Sequence, residues 1–513
     1  MGAKLTRRAG VHSPRGRVDL TNQQEVERTY RKAQRVGLLA GGAIFALMLA
    51  LPGPEALPED GWLTAAVAVL MAVWWMTEAI PIPATALLPL VLFPLLGVLE
   101  MSDAATPYAQ DLIFLFMGGF LLAVTMERWG LHRRIALTVM TSVGTSPSRL
   151  VLGFMLATAF LSMWISNTAT AALMLPIALA VGDRFRPEQT EGSYPFGVAL
   201  MLGIAYAASI GGVGTLIGTP PNAVFAAAAD EILGVEIGFL QWAMVGMPLV
   251  AVMLPLAWLL LVKVLYVPTV GDVDAGAVIR EERTRLGAPD RGEWIVGIVF
   301  TLTAAAWILR APKTFGAVSI PGIQSFAPGV RDSTIAMAAA LALFLIPVNW
   351  RKGIFALDWP TARRIPWGVL VLFGGGLSLA RAMERSGLAS WIGGAVGGLE
   401  TVPVIVLLAV VAALFVFLTE ITSNMATATM AMPVMAGVAA GLGMEPLHLM
   451  ATAVLGSSMA FMLPAATPPN AIVFGSNYLT IPQMSRAGIW LNLIAIAVIT
   501  TAATFLIPVV LGG

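Results

Sequence analysis

The 513-residue sequence contains no cysteine and only three histidines, His12, His132 and His448. Disulfides, thiolate metal centres and cysteine nucleophiles are thereby excluded, and the histidines are too dispersed to frame a metal site. Charge is also scarce: 12% of residues are Asp, Glu, Lys or Arg, against 58% hydrophobic. That balance excludes a water-soluble chain and points to an integral membrane protein surrounded by lipid. The net charge of +1 gives no support for a nucleic-acid partner. The basic N-terminus (Lys4, Arg7, Arg8, Arg15, Arg17) is not followed at once by a short apolar region and cleavage site. Residues 1–35 therefore read as a disordered cytoplasmic tail, not a signal peptide.

Within the apolar remainder, the run from Leu150 to Gly182 is free of charge, too long for one crossing and too short for two. Ser166-Asn167-Thr168 divides it into arms that each fall short of the about 20 residues a spanning helix needs. The expectation is a re-entrant hairpin over 148–183 that turns at the polar triplet. Non-helical backbone at that depth is tolerated only where it is buried in protein or lines a cavity. A second run, Thr401 to Met444, carries Thr422-Ser423-Asn424 and predicts a second hairpin over 402–441.

The two runs are copies. Asn167 and Asn424 are 257 positions apart, and the same offset relates Leu115–Gly119 to Leu372–Gly376 and Met126-Glu127-Arg128 to Met383-Glu384-Arg385. Pro176 and Pro433 share it, and Thr219-Pro220-Pro221-Asn222 returns as Thr467-Pro468-Pro469-Asn470. An ordered series of matches at nearly constant spacing marks an internal duplication. The first repeat occupies 36–266 with a broken segment at 196–231. A polar linker follows at 267–292. The second repeat occupies 293–513 with a broken segment at 447–476.

Leaving the hairpins aside, the apolar segments make eleven spans. With the N-terminus in the cytoplasm, 25 of the 30 Lys and Arg fall on cytoplasmic segments, the exceptions being Arg310, Lys313, Arg331, Arg381 and Arg385. The C-terminus then lies outside. The spans at 110–127 and 366–384 run in opposite directions, so the repeats are inverted and the hairpins enter from opposite sides. The fold class is an all-α polytopic membrane protein with the plan of a secondary transporter. A channel would more naturally show parallel symmetry and rings of pore-lining charge.

Charge is missing from the centre as well. Gly197–Ala229 and Pro446–Ser485 carry no Asp, Glu, Lys or Arg, and the hairpin interiors contribute only Glu420. A charged solute must then be held by backbone groups, hydroxyls and amides. Ser-Asn-Thr is a helix N-cap signal, and Thr-Pro-Pro reads as a cap followed by prolines in the first turn. Four half-helix N-termini aimed at one centre favour an anion. The helix ends near Trp164 and Thr422 and the unwound Gly211–Gly214 and Pro464–Ala466 present carbonyls instead. Oxygen sites without carboxylates suit a weakly charged hard cation such as sodium. Glu127 and Glu384 are expected to pair structurally with their neighbours Arg128 and Arg385.

These motifs, with Thr77-Glu78-Ala79-Ile80-Pro81, resemble the divalent anion/sodium symporter family, the INDY-type carriers of di- and tricarboxylates and sulfate. The resemblance covers residues 36–511. It implies a homodimer in which a scaffold part holds a transport part that moves like an elevator. By matched motif it implies a first sodium site at Ser162, Ser166, Asn167 and the backbone around Gly218. The second sodium site falls at Thr419, Thr422, Asn424 and the backbone at Ala466. Substrate carboxylates would meet Asn167, Thr168, Ser423, Asn424, Thr219 and Thr467. Met425 departs from the pattern, which would carry threonine there. Sodium-coupled symport of a dicarboxylate such as succinate, malate or fumarate is the first reading. A sodium-independent dicarboxylate or citrate exchanger and a sodium/sulfate symporter remain open on the same fold. An enzyme would need a catalytic pair or metal cluster near the centre, and neither tip has a nearby histidine.

Overall fold

The computed structural model describes residues 20–144, 146–185, 194–268, 276–315, 318–399 and 401–511. Helices dominate throughout. By length and composition, six helices among the described residues are long and apolar enough to cross a bilayer: Glu59–Thr77, Met101–Trp129, Pro195–Gly212, Phe239–Leu265, Arg291–Leu309 and Ile481–Phe505. Shorter apolar helices, including Gln34–Ala50, Asp332–Leu345 and the hairpin arms, fill the remainder of the bundle.

Both polar triplets interrupt helices. The first hairpin has arms Pro147–Ser162 and Asn167–Phe185, and the second has arms Val404–Leu418 and Asn424–Gly441. Both broken segments are broken as well, into Pro195–Gly212 and Pro220–Leu233, and into Pro446–Ser457 and Pro468–Phe474. The helices after the two Thr-Pro-Pro motifs start at their first proline, whose fixed φ and missing N–H suit a helix start.

The breaks sit at the centre of the molecule. Pro195–Gly212 is 94% buried, whereas Arg291–Leu309 is only 33% buried and belongs to the periphery. One large apolar cluster runs through the hairpins, the broken helices and the last span. A smaller one joins Val67, Met71 and Trp75 to Phe93, Leu372, Leu379 and Met383, and receives Ala426 from the second hairpin.

Ion pairs between distant segments fall into two groups. One group has Arg128–Asp358 at 2.8 Å, Arg134–Glu293 at 2.9 Å and Arg133–Glu282. The other has Arg310–Glu236 at 2.7 Å, Arg331–Asp111 at 3.0 Å and Arg381–Glu231 and Arg385–Asp103, both at 2.5 Å. Arg128 and Arg385 thus pair across the fold and not with the adjacent Glu127 and Glu384. Successive helix residues point about 100° apart and do not face each other.

One other expectation is corrected. The first helix begins at Leu20, inside the stretch 1–35 read as a disordered tail, because residues 20–36 are rich in helix formers and free of glycine and proline. The polar linker contains a helix, Gly276–Arg285. The loops also hold two small antiparallel pairs, Lys313–Phe315 with Val318–Ile320 and Pro347–Asn349 with Ile354–Phe355.

The second hairpin's returning arm is held by backbone contact with the short helix Leu388–Ala395. A Cβ at Gly441 would lie 2.0 Å from the Gly393 carbonyl oxygen, while a Cβ at Gly394 would meet nothing within 4 Å. Gly441→Ala is expected to destabilise the protein by about 1–3 kcal/mol, the usual cost of overpacking. Gly394→Ala is expected to be neutral. Thermal unfolding of the two purified variants, followed by the fraction remaining monodisperse, checks the contrast.

Candidate functional site

Each hairpin has a hydroxyl residue at or just past the end of its first arm and opens its second with asparagine, and the turn folds one onto the other. Ser162 Oγ lies 2.6 Å from Asn167 Oδ1 and 2.7 Å from the Ala208 carbonyl oxygen on the neighbouring broken helix. In the second repeat Thr419 Oγ1 lies 2.7 Å from Asn424 Oδ1 and 2.8 Å from the Ser457 carbonyl oxygen. Ser162 and Thr419 are both fully buried. One hydroxyl carries one proton, so in each repeat it can donate to only one of its two acceptors. The remaining O···O contact needs either a rotated amide or a cation to relieve it.

The first cluster depends on glycine. A Cβ on Gly212 would stand 2.6 Å from Asn167 Oδ1. A Cβ on Gly218 would stand 2.5 Å from the Gly212 carbonyl oxygen and 3.0 Å from that of Ser162. Five oxygens therefore gather at the first tip: the Ser162 hydroxyl and carbonyl, Asn167 Oδ1, and the carbonyls of Ala208 and Gly212. In the second repeat the place of Gly218 is taken by Ala466, which is buried.

The breaks are stapled by the asparagines that follow the prolines. Asn222 Nδ2 donates to the carbonyls of Gly212 (3.1 Å), Val213 (3.4 Å) and Thr215 (2.8 Å). Asn470 Nδ2 donates to those of Ala460 (3.3 Å) and Leu463 (3.0 Å). Both side chains are fully buried. The motif drew attention through its repetition, but the asparagine's role was not read from it. The parts played by the Ala208 and Ser457 carbonyls left no mark in the sequence, because any residue type supplies a carbonyl.

Four helix starts are present where the motifs place them, though they are not equivalent. At the broken helices, two prolines remove the first two N–H groups and Asn222 N is bonded back to the Thr219 carbonyl at 3.2 Å. Those ends contribute a dipole and the hydroxyls of Thr219 and Thr467, both buried. The hairpin ends keep their backbone donors at Asn167 and Thr168 and at Asn424 and Met425. Thr168 is exposed, while Asn167, Ser423 and Asn424 are half-buried.

Among the expected ligands, Ser162, Asn167 and Gly218 come together at one tip, and Thr419 and Asn424 at the other. Two hydroxyls turn elsewhere. Ser166 is exposed and its Oγ accepts the Ala169 N–H at 3.2 Å, a helix cap. Thr422 Oγ1 donates to the Leu418 carbonyl at 2.8 Å and lies 2.6 Å from Thr427 Oγ1.

The two repeats interlock at this level. Pro220–Leu233 packs against the second hairpin's Asn424–Gly441, and Pro468–Phe474 packs against the first hairpin's Asn167–Phe185. Tyr206 of the first broken helix donates to the Phe461 carbonyl of the second break at 3.0 Å. A cavity of about 10 Å³ lies off the tips, between Val224–Ala228, Phe373–Ala380 and Thr429–Pro433. It has room for one water.

Asn222→Ala leaves the buried Gly212 carbonyl without its partner, while Val213 keeps Trp242 Nε1 and Thr215 keeps Gly218 N, and a group left unsatisfied costs about 1–3 kcal/mol. The expected outcome is a loss of thermal stability similar to that of Asn470→Ala, which strands the Ala460 carbonyl and leaves Leu463 bonded to Ala466 N. Unfolding curves of the two variants and the wild type in the same detergent check both losses.

Known proteins bear on these features. The sodium:sulfate symporter transmembrane region matches residues 32–511. A sodium-dependent dicarboxylate transporter, SdcS, of Staphylococcus saprophyticus is 42% identical over 503 residues, covering 96% of this chain and 95% of that protein. SdcS of Staphylococcus aureus is 41% identical over 500 residues, covering 96% and 94%. Among solved structures, the Alcanivorax borkumensis YdaH transporter aligns with TM-score 0.56 at 17% identity, covering 87% of this chain and 98% of its own. Neisseria gonorrhoeae MtrF aligns with TM-score 0.55 at 15% identity, covering 90% and 98%. Those two likenesses concern the fold alone. Matched along almost its whole length, the chain belongs to the sodium:sulfate symporter family, the divalent anion/sodium symporters.

Proposed function

We propose that this protein is a sodium-coupled symporter of a small dicarboxylate such as succinate, malate or fumarate. One observation carries the reading: a buried hydroxyl, an asparagine oxygen and a helix carbonyl converge in the same way at both hairpin tips. Neutral oxygens grouped around a hydroxyl short of one proton are the environment in which a hard monovalent cation replaces a hydrogen. The names of the relatives, sodium-dependent dicarboxylate transporters, point the same way.

In this mechanism the first sodium is held by the Ser162 hydroxyl, Asn167 Oδ1 and carbonyls gathered beside Gly218. The second is held by Thr419, Asn424 and the carbonyl of Ala466. Ser166 and Thr422, whose hydroxyls are engaged within their own tips, contribute through the backbone. Bound sodium fixes each asparagine, so its Nδ2 and the helix-start N–H groups face the substrate. Two carboxylates are then met by Asn167 and Thr168 from one tip and Ser423 and Asn424 from the other, with the hydroxyls of Thr219 and Thr467 beside them. The substrate binds well only after sodium has set the tips, and this order couples the two fluxes. Met425 is half-buried against the smaller apolar cluster, and it puts an apolar side chain where the first tip has the Thr168 hydroxyl.

The moving part comprises the hairpins, the broken helices and the spans at 239–265 and 481–505, travelling like an elevator against the remainder. The scaffold forms a homodimer in the cytoplasmic membrane, with eleven spans, the N-terminus inside and the C-terminus outside. Support for the division comes from the smaller apolar cluster, which is built from spans outside the site apart from Ala426 and partly buried neighbours on the second hairpin.

Uptake of labelled succinate into proteoliposomes under an inward sodium gradient, against an equal potassium gradient, tests the reading. The expected outcome is accumulation in empty vesicles with sodium alone. Uptake only into succinate-preloaded vesicles, indifferent to sodium, would make the protein an exchanger. Asn167→Ala and Asn424→Ala are each expected to lower uptake by about 10- to 100-fold, the worth of a hydrogen bond to a charged group. Wild-type uptake in both would remove the assigned site.

A further inference from the structure

The two breaks are related by symmetry, yet their backbones are satisfied differently. In the first, helical bonding continues past the end of the helix: Val213 N donates to the Ile210 carbonyl at 3.2 Å and Gly214 N to the Gly211 carbonyl at 2.9 Å. In the second, Ser458 N and Met459 N make the same kind of bond at 3.2 and 3.1 Å, but at Phe461 and Met462, the positions that match Val213 and Gly214, the chain is unwound. Its amides need partners from elsewhere, because a buried N–H left unbonded is costly.

Glu420 supplies them. Its carboxylate accepts from Phe461 N at 2.7 Å, Met462 N at 2.9 and 3.1 Å, Leu463 N at 3.3 Å and Asn492 Nδ2 at 2.8 Å. Every one of these partners is a donor, the arrangement an ionised carboxylate accepts. Glu420 and Asn492 are both buried. At the position 257 residues earlier the first repeat has Met163, whose backbone carbonyl accepts from Thr215 Oγ1.

We infer that Glu420 is a positioning residue for the second cation site, holding through its carboxylate the loop that brings Ala466 to the tip. The connection is continuous. Glu420 fixes the Leu463 N–H, and the Leu463 carbonyl accepts from Ala466 N at 3.2 Å and from Asn470 Nδ2 at 3.0 Å. Glu420 also follows Thr419 directly in the chain, so one residue ties the hydroxyl side of the site to its carbonyl side. Asn492 carries the tie on to the last span. The first site is held by a helical turn and glycines; the second by a buried anion. The two sites are therefore unequal, and the second loses its shape when the anion is removed. Glutamine at 420 would keep the volume but aim an N–H₂ at amide donors.

The inference rests on the sodium-coupled reading, and one experiment separates the two. Succinate uptake into proteoliposomes is measured against sodium concentration at fixed membrane potential for wild type, Glu420→Gln, Asn492→Ala and Met163→Leu. Glu420→Gln is expected to raise the half-saturating sodium concentration by about tenfold, equivalent to about 1.4 kcal/mol. It should also flatten the sodium curve, with the succinate KM at saturating sodium near the wild-type value. Asn492→Ala, which removes one of the carboxylate's bonds, is expected to shift the curve in the same direction by a smaller factor and stands in if Glu420→Gln does not fold. Met163→Leu should overlie wild type. A sodium curve unchanged in Glu420→Gln, with only the maximal rate or yield reduced, would overturn the inference and leave the symporter reading intact. A wild-type curve flat in sodium would overturn the symporter reading itself.

Discussion

Unwound backbone in an apolar interior must find every hydrogen bond within the protein, and the architecture of the centre follows from that constraint. Two helices are interrupted where lipid and packed side chains leave no water to accept the difference. Asn222 and Asn470 serve the carbonyl side of each break, and in the second repeat Glu420 serves the amide side. Because these groups are buried and bonded, the breaks are rigid features that can hold oxygens at fixed positions. A rigid, neutral oxygen cluster then becomes available for a cation without placing any carboxylate against it.

The duplication explains why the same arrangement arises twice, and its departures show which parts are constrained. Ser162 and Thr419 differ by a methyl group yet make equivalent contacts, since each needs only the hydroxyl. Gly218 and Ala466 differ by a methyl too, but the first position has a carbonyl at 2.5 Å from the missing Cβ. Close approach of backbone to backbone, not identity of sequence, decides which copy tolerates a side chain. Glu420 and Met163 are the largest departure, and it accompanies the largest difference in backbone path.

Part of the site was legible in the sequence. The hairpins and breaks follow from motif and spacing, whereas Ser162 and Thr419 were named only through the family resemblance, and their contacts with Asn167 and Asn424 emerge from the fold. The hydroxyls of Ser166 and Thr422 were read in the same way but turn to their own tips, because a serine or threonine beside a helix end has local backbone partners within easier reach. Arg128 and Arg385 likewise find Asp358 and Asp103 across the fold, a choice that adjacency in sequence does not reveal.

The sequence by itself determined the membrane setting, the twofold plan, the places where helices stop and the two faces on which charge gathers. Each of these depends on composition or on periodicity, quantities local to a stretch of chain. Only the tertiary structure decided which carbonyls join each cluster, which asparagine holds which break and what Glu420 is for. Carbonyl and amide groups are the same in every residue, so their partners are set by where distant segments come to lie.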